Sequence, residues 1–187
     1  KPTNIEANLA GNSPASRDIA FHMHPYTNPT QLASAGPHII AHGDGVFVHD
    51  ESGNRFYEGM SGLWCTSLGF SEPELVNAAI DQFNKLPFYH SFAGKTVDPA
   101  IELAEMLIAH APPAAGKSRM SKVFFAASGS EANDTAMKMV WYYNAALGRP
   151  EKRKIISRKK GYHGVTMAAA SMTALAYAQD GFGLPLD

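Results

Sequence analysis

Short apolar runs separated by turn residues occupy the stretch between residues 39 and 57. The runs are Ile39-Ile40-Ala41, Val46-Phe47-Val48 and Arg55-Phe56-Tyr57. Gly43-Asp44-Gly45 and Ser52-Gly53-Asn54 stand between them, and such clusters are typical of hairpin turns. The pattern predicts a small antiparallel meander.

Stretches with helical spacing lie on both sides of the meander. A short helix is predicted around residues 17–23, in front of it. Behind it, Ser71-Glu72-Pro73-Glu74 has the form of a capping box with proline in the first turn, so a helix is predicted to begin there. Asp98-Pro99 predicts the start of a further helix, which ends before Pro112-Pro113. The apolar positions predicted to face inward are Leu75, Val76, Ala79, Ile80 and Phe83 in the first of these two helices, and Ile101, Ala104, Leu107 and Ile108 in the second.

The pattern changes again beyond residue 120. Residues 123–127, Val-Phe-Phe-Ala-Ala, form the continuous apolar run that a parallel strand covered on both faces needs. A helix is predicted from the next glycine turn to about Leu147, and residues 154–157 predict a second parallel strand. This order predicts an α/β fold. Residues 1–70 would form an N-terminal arm and part of a small β-rich domain, and residues 71–187 the beginning of a large, mostly parallel-sheet domain.

Composition narrows the class of protein. The chain has 187 residues, of which 45% are hydrophobic and 18% charged, and a formal net charge of −1. This charge gives no general attraction to nucleic acid or to anionic membranes, and no apolar run approaches the length of a membrane span. The single cysteine, Cys65, excludes an internal disulfide, and we expect a cytoplasmic protein. The eight histidines show no metal-ligand spacing; His22 and His24 are expected at the surface, and no metal is expected.

Both ends of the sequence suggest part of a longer protein. The chain begins without methionine and closes on a loop-like run from Gly181 to Asp187. We therefore expect a chain that is truncated at both ends.

A candidate anion site follows the first predicted parallel strand. Ser128-Gly129-Ser130 leads directly into a helix, whose first N–H groups lack intrahelical partners and whose dipole is positive at that end. The glycine permits close approach, and the serines add hydroxyl donors. The alternative is that Ser128 or Ser130 only caps the helix. The sequence is neither a P-loop nor a dinucleotide fingerprint.

A second candidate motif follows the second predicted strand. Gly161-Tyr162-His163-Gly164 would lie at the carboxyl edge of the sheet, where ligands bind in open parallel sheets. The flanking glycines leave the Tyr162 ring free to face a flat ligand. The alternative is a Tyr-His pair that packs over the sheet edge.

Taken in this order, these two motifs and three others resemble the class III (ω-type) aminotransferases, pyridoxal 5′-phosphate (PLP) enzymes of fold type I. The run Gly62-Leu63-Trp64-Cys65 is most similar to pyruvate-dependent ω-transaminases. The five stretches that carry the resemblance extend along nearly the whole chain: His24–Thr27, Asp50–Cys65, Leu86–Phe92, Ser128–Ala132 and Gly161–Gly164.

The resemblance implies a role for individual residues. Ser128, Gly129 and Ser130 would hold the phosphate of PLP, Tyr162 would stack on its ring, and His163 would support the loop. The resemblance also implies four substrate-binding residues near the cofactor: Trp64, Tyr26, Tyr89 and Phe92. The last two belong to a loop that in this family reaches an active site at the interface of a homodimer or a higher homo-oligomer.

The resemblance also implies residues that this stretch of chain does not supply. The lysine that forms a Schiff base with PLP, and the acid that pairs with the ring nitrogen, are expected beyond Asp187. The implied reaction transfers an amino group from an amine or amino acid to a 2-oxo acid such as pyruvate. Two alternatives stay open, namely another class III reaction (an aminomutase or a decarboxylase) and a non-catalytic fragment.

Overall fold

The structure, a computed structural model, describes residues 11–113 and 119–186. The chain divides into two compact units, residues 1–90 and residues 91–187. The sequence-based domain boundary after residue 70 stays a prediction.

The first unit begins with two short helices, each of which starts with proline behind a side-chain cap. Helix α1 spans Pro14–Phe21 and helix α2 spans Pro29–Ala35. The Ser13 hydroxyl accepts a hydrogen bond from the Ser16 N–H at 3.1 Å, and Asn28 Oδ1 accepts one from the Thr30 N–H at 3.0 Å. Proline at the first helical position costs no hydrogen bond, because the N–H that it lacks would have no partner within the helix.

The predicted meander is confirmed as an antiparallel sheet. Its strands are β1, Ile40–Asp44, β2, Phe47–Asp50, and β3, Arg55–Tyr57, in the order β1-β2-β3. Val48 of the central strand lies opposite Gly43 on one side and Phe56 on the other. Val48 is the residue of this sheet that is buried.

An aspartate organises the turn between β2 and β3. Asp50 Oδ1 accepts hydrogen bonds from the N–H groups of Ser52 (2.9 Å) and Asn54 (2.8 Å), and Oδ2 accepts one from Asn54 Nδ2 (2.9 Å). These donors, led by the Asn54 side chain, hold the pKa of Asp50 below its usual value of 3.8. The turn is therefore favoured by the ionised carboxylate.

Helices α3, Ser61–Trp64, and α4, Pro73–Lys85, follow the sheet. The start of α4 agrees with the prediction, but its cap does not. Glu72 is the N-cap residue, whereas Ser71 has a φ of +60° and its hydroxyl donates to the Gly43 carbonyl at 2.7 Å. The contact with β1 removes Ser71 from the capping position.

The second unit is helical in its described part. A 3₁₀ turn, Phe92–Gly94, precedes α5, Asp98–His110, and α6, Gly129–Ala146. Two short helices follow, α7, Met167–Met172, and α8, Ala176–Gln179. The buried residues in the described part of this unit lie on α6, in the loop before α7, on α7 and directly after it: Met137, Gly164, Ala169, Ala170 and Thr173. Among the described residues, no helix has the length and apolarity needed to cross a membrane.

The two predicted parallel strands are not formed. Among the described residues, 123–126 and 154–157 belong to no strand, and Ile156 is 96% exposed. A strand requires a hydrogen-bonded neighbour, and an apolar sequence cannot supply one by itself. The residue before the second run is bound to α6, since Trp141 Nε1 donates to the Arg153 carbonyl at 2.8 Å.

The lowered pKa of Asp50 gives a pH-dependent prediction. A carboxyl whose pKa is depressed by folding stabilises the fold above its unfolded pKa, and this stability is lost as the pH falls through the folded pKa. Asn54→Ala should therefore lower the thermal midpoint of the intact protein at pH 7, and the deficit should shrink below about pH 4. In an Asp50→Asn background the same substitution should have an effect that does not vary with pH. A deficit that is constant with pH in the Asp50 protein would contradict this account.

Candidate functional site

The amino end of α6 is held by a reciprocal cap. The Ser128 hydroxyl accepts from the Glu131 N–H at 3.2 Å, and the Glu131 carboxylate accepts from the Ala127 N–H at 2.9 Å. Ser128 is thus the N-cap, as the simpler of the two sequence interpretations required. A hydroxyl can accept and donate at once, so this cap leaves the Ser128 O–H able to donate to an anion.

The Tyr-His loop is fixed from behind by one buried hydroxyl. Thr173, which is 0% exposed, accepts from the His163 N–H at 2.8 Å and lies 3.2 Å from the Gly164 carbonyl. The Ala174 N–H also donates to the Gly161 carbonyl at 3.1 Å. Both ends of the Gly161–Gly164 motif are therefore held to the chain that leaves α7.

Three polar side chains of α6 join its amino end to this loop. Ser130 Oγ accepts from the Val165 N–H at 2.9 Å, and Asn133 Nδ2 donates to the His163 carbonyl at 2.7 Å. Asp134 Oδ1 accepts from the Thr166 hydroxyl at 2.9 Å and from the N–H of Ala169 at 3.1 Å. The structure thus brings the two sequence motifs into one site, although they are separated by about 30 residues.

A glycine makes this contact possible. Gly164 has a φ of +132°, and a Cβ built on it would lie 2.3 Å from Ser130 Oγ and 2.9 Å from Ser130 Cα. At Gly129, by contrast, nothing lies within 4 Å of the position of a Cβ. The loop is therefore packed against one side of the α6 terminus, and the glycine of the terminus faces open space.

This arrangement fits a phosphate group. The N–H groups of Gly129 and Ser130 are the first two of the 18-residue helix α6, where the helix dipole is positive. The hydroxyls of Ser128 and Ser130 stand beside them, and the absence of a side chain at Gly129 admits the ligand. The assignment of these residues to cofactor phosphate, and of the exposed Tyr162 to its ring, stays a prediction.

His163 lies within the loop rather than in front of it. A Cβ on Gly161 would come within 3.0 Å of His163 Nε2, so the imidazole folds back over Gly161. The supporting role expected of His163 stays a prediction.

The predicted substrate-binding residues lie on exposed segments. In the first unit, Tyr26 follows α1 with a φ of +51°, and Tyr89 stacks on His90 with ring centroids 4.7 Å apart. Trp64 is 80% exposed and ends α3. Phe92 opens the 3₁₀ turn of the second unit.

The segment that carries Trp64 has the wrong hand for an ordinary helix. The φ values of residues 61 to 64 are +49°, +60°, +66° and +70°. Only Gly62 adopts such angles without strain, and each other residue costs roughly 1–2 kcal/mol. Strain of this kind persists only where surrounding contacts enforce it, and it is often found at functional sites.

Asp18, His22 and His24 form a cluster that the sequence did not reveal. Asp18 Oδ1 lies 2.9 Å from His22 Nδ1, and Oδ2 lies 2.7 Å from His24 Nε2. One ligand atom from each residue lies within 4.8 Å of the others, which is close enough to hold a metal ion. Hydrogen bonds from the two histidines, His22 first, lower the pKa of Asp18. His24 lies beyond the end of α1, so helical spacing could not predict this contact.

Sequence reasoning also missed Asn133, Asp134 and Thr173. A signal for the first two was present, because positions 130, 133 and 134 fall on one face of a helix together with Met137. Polar residues on the same face as a buried methionine indicate hydrogen-bond partners from another segment.

Comparison with known proteins identifies the relatives of this chain. Residues 31–185 match the profile of the class-III aminotransferases. A probable mitochondrial gamma-aminobutyrate transaminase 2 of Oryza sativa subsp. indica is 49% identical over 161 residues, which are 86% of this chain and 32% of that protein. The chain therefore spans about a third of the length of this curated relative.

Solved structures give the same result. The omega transaminase from Pseudomonas jessenii in complex with PMP is 54% identical, with a TM-score of 0.89 over 94% of this chain and 38% of that one. A second structure, with 54% identity and a TM-score of 0.88, covers 93% of this chain and 38% of its own. It is a thermostable omega transaminase variant engineered for asymmetric synthesis of enantiopure bulky amines, in which a tryptophan is replaced by glycine.

The close approach at Gly164 can be tested by substitution. Gly164→Ala in the intact protein should lose about 2–4 kcal/mol of unfolding free energy, because the methyl group meets the Ser130 backbone and the backbone angle is unfavourable. Gly148→Ala is the matched control, since Gly148 has a φ of +71° and open space around it. It should lose only about 1 kcal/mol. Urea unfolding measures both, and equal losses would rule out the proposed contact.

Proposed function

The chain belongs to the class III aminotransferases, whose cofactor is PLP, and we propose that its protein transfers an amino group from an amine or amino acid to a 2-oxo acid such as pyruvate. The observation that carries this proposal is the joined site, in which the amino end of α6 and the Tyr162 loop are held together by Ser130, Asn133 and Asp134. Such a site offers anion donors and an aromatic ring side by side.

Each part of this site has a proposed task. Ser128, Gly129 and Ser130 bind the phosphate of PLP through N–H and hydroxyl donors. Tyr162 covers one face of the pyridine ring, and His163 keeps the loop in place. PLP, when bound, supplies the reactive carbonyl and the electron-accepting ring that amino-group transfer needs.

The remaining parts of the active site are proposed to come from elsewhere. We place the lysine that binds PLP covalently, and the acid that pairs with its ring nitrogen, outside residues 1–187. Assembly as a homodimer, with Tyr89 or Phe92 serving the neighbouring subunit, is part of the same proposal. The name of the rice relative places that protein in mitochondria, and a cytoplasmic location for this one stays a prediction.

The proposed substrate pocket is lined by Trp64 and Tyr26. Two exposed aromatic side chains on strained backbone provide rigid apolar walls, which suit amines with apolar groups. In the engineered transaminase, a variant made for bulky amines, a tryptophan is replaced by glycine, and we propose that Trp64 takes the corresponding place in this chain.

Amino-group transfer can be measured directly on the intact protein loaded with PLP. An arylalkyl amine or 4-aminobutyrate, supplied with pyruvate, should yield alanine and the carbonyl product of the amine in equal amounts. Omission of pyruvate should abolish turnover. Turnover without any 2-oxo acid would indicate an aminomutase or a decarboxylase, and loss of carbon dioxide would distinguish the second. No turnover with any donor would leave a non-catalytic role.

The pocket role of Trp64 predicts a change of specificity. Trp64→Leu should raise the relative kcat/KM for bulky over small amines by about tenfold, since a smaller wall admits larger groups. Trp141→Leu is the control, because Trp141 packs beside Arg153 on the outside of α6 and should leave the ratio unchanged. Unchanged relative rates for Trp64→Leu across a series of amines would contradict the pocket role.

A further inference from the structure

The left-handed turn at residues 61–64 is closed by its own backbone. The Trp64 N–H donates to the Met60 carbonyl at 2.7 Å, and the Cys65 N–H donates to the Ser61 carbonyl at 2.9 Å. These bonds are local, so they do not fix the position of the turn relative to the rest of the unit. Another group must hold it.

Glu58 is that group. Its carboxylate accepts from the Met60 N–H at 3.0 Å through one oxygen and from the Gly62 N–H through the other. Its own N–H donates to the Val46 carbonyl at 3.0 Å, next to the start of β2. One residue therefore links the sheet to both the entry and the middle of the turn.

We propose that Glu58 is a positioning residue, whose carboxylate holds the left-handed turn and thereby sets where the indole of Trp64 lies. The inference rests on the proposed function only in so far as Trp64 contacts substrate. Glu58 itself acts through the turn and touches no substrate.

The chemistry of the two hydrogen bonds distinguishes a carboxylate from its isosteres. Each carboxylate oxygen accepts from a different N–H, and bonds to a charged acceptor are the stronger kind. Glutamine has the same shape but one acceptor, so its amide NH₂ would face one of the two N–H groups. Aspartate keeps both acceptors on a side chain one methylene shorter.

The test compares Glu58→Gln, Glu58→Asp and a control in the intact PLP-bound protein. Glu72→Gln is the control, because Glu72 also accepts from a backbone N–H, at 3.5 Å, in the same unit. Acrylamide quenching reports the accessibility of Trp64 when each variant is compared with its counterpart in a Trp64→Phe background. Glu58→Gln should change the Trp64 signal, while Glu58→Asp and Glu72→Gln should leave it near that of the parent protein.

Amine specificity provides the second measurement. Glu58→Gln should change the ratio of kcat/KM for bulky over small amines by about three- to tenfold, mainly through KM. The change should vanish in the Trp64→Phe background, because Glu58 acts through the indole. Glu58→Asp should restore the parent ratio, which a merely destabilising substitution would not predict.

Each contrary result has a separate meaning. An unchanged Trp64 signal in Glu58→Gln, or an equal change with and without Trp64, overturns the inference. If Trp64→Leu alters specificity and Glu58→Gln does not, the inference fails while the proposed pocket survives. If Trp64→Leu alters nothing, the pocket fails, and quenching alone decides the role of Glu58. If Glu58→Gln does not fold, Gly62→Ala replaces it, because Gly62 has a φ of +60° and accepts a side chain there only with strain. An unchanged Trp64 quenching signal in Gly62→Ala then overturns the inference.

Discussion

The hydrogen bonds from one face of α6 determine the geometry of the candidate site. Asn133 binds the carbonyl of His163 within the Tyr-His loop, while Ser130 and Asp134 bind the segment directly after it. A typical hydrogen bond contributes only about 0.5–1.5 kcal/mol net, and the bonds made here are exposed or part-buried. This face of α6 therefore contributes less to stability than to fixing the position of the Tyr-His loop. Other positions of the loop would leave several of these groups unsatisfied.

This constraint links two functions that the sequence presents separately. The first turn of α6 supplies the anion donors, and the next turn supplies the bonds that hold the loop carrying Tyr162. The distance between the proposed phosphate ligands and the proposed ring ligand is thus set within one helix. Gly164 is required because the loop approaches Ser130 so closely that a Cβ would meet its backbone.

Local signals predicted the elements whose causes are local. The meander followed from alternating runs and turn residues, and α4, α5 and α6 followed from helical periodicity with proline or glycine at their ends. The predicted parallel strands did not appear, because a strand depends on a neighbour that no stretch of sequence specifies. The capping role assigned to Ser71 was wrong for the same reason, since the β1 carbonyl that binds its hydroxyl is 28 residues away. In the candidate site, the two motifs could be located in advance, whereas Thr173, which fixes the Tyr-His loop from behind, carries no local signature.

The amino end of α6 and the turn at residues 61–64 position their functional groups by opposite means. The amino end of α6 is ordinary helix geometry, whose unpaired N–H groups serve an anion with no strain. The turn at Trp64 is strained backbone, which is closed by its own hydrogen bonds and contacted from outside by the Glu58 carboxylate. A group that does not change from one substrate to the next, such as a cofactor phosphate, is well served by the first solution. A wall that determines which amine enters is better served by the second, because a few contacts outside the pocket then set its position.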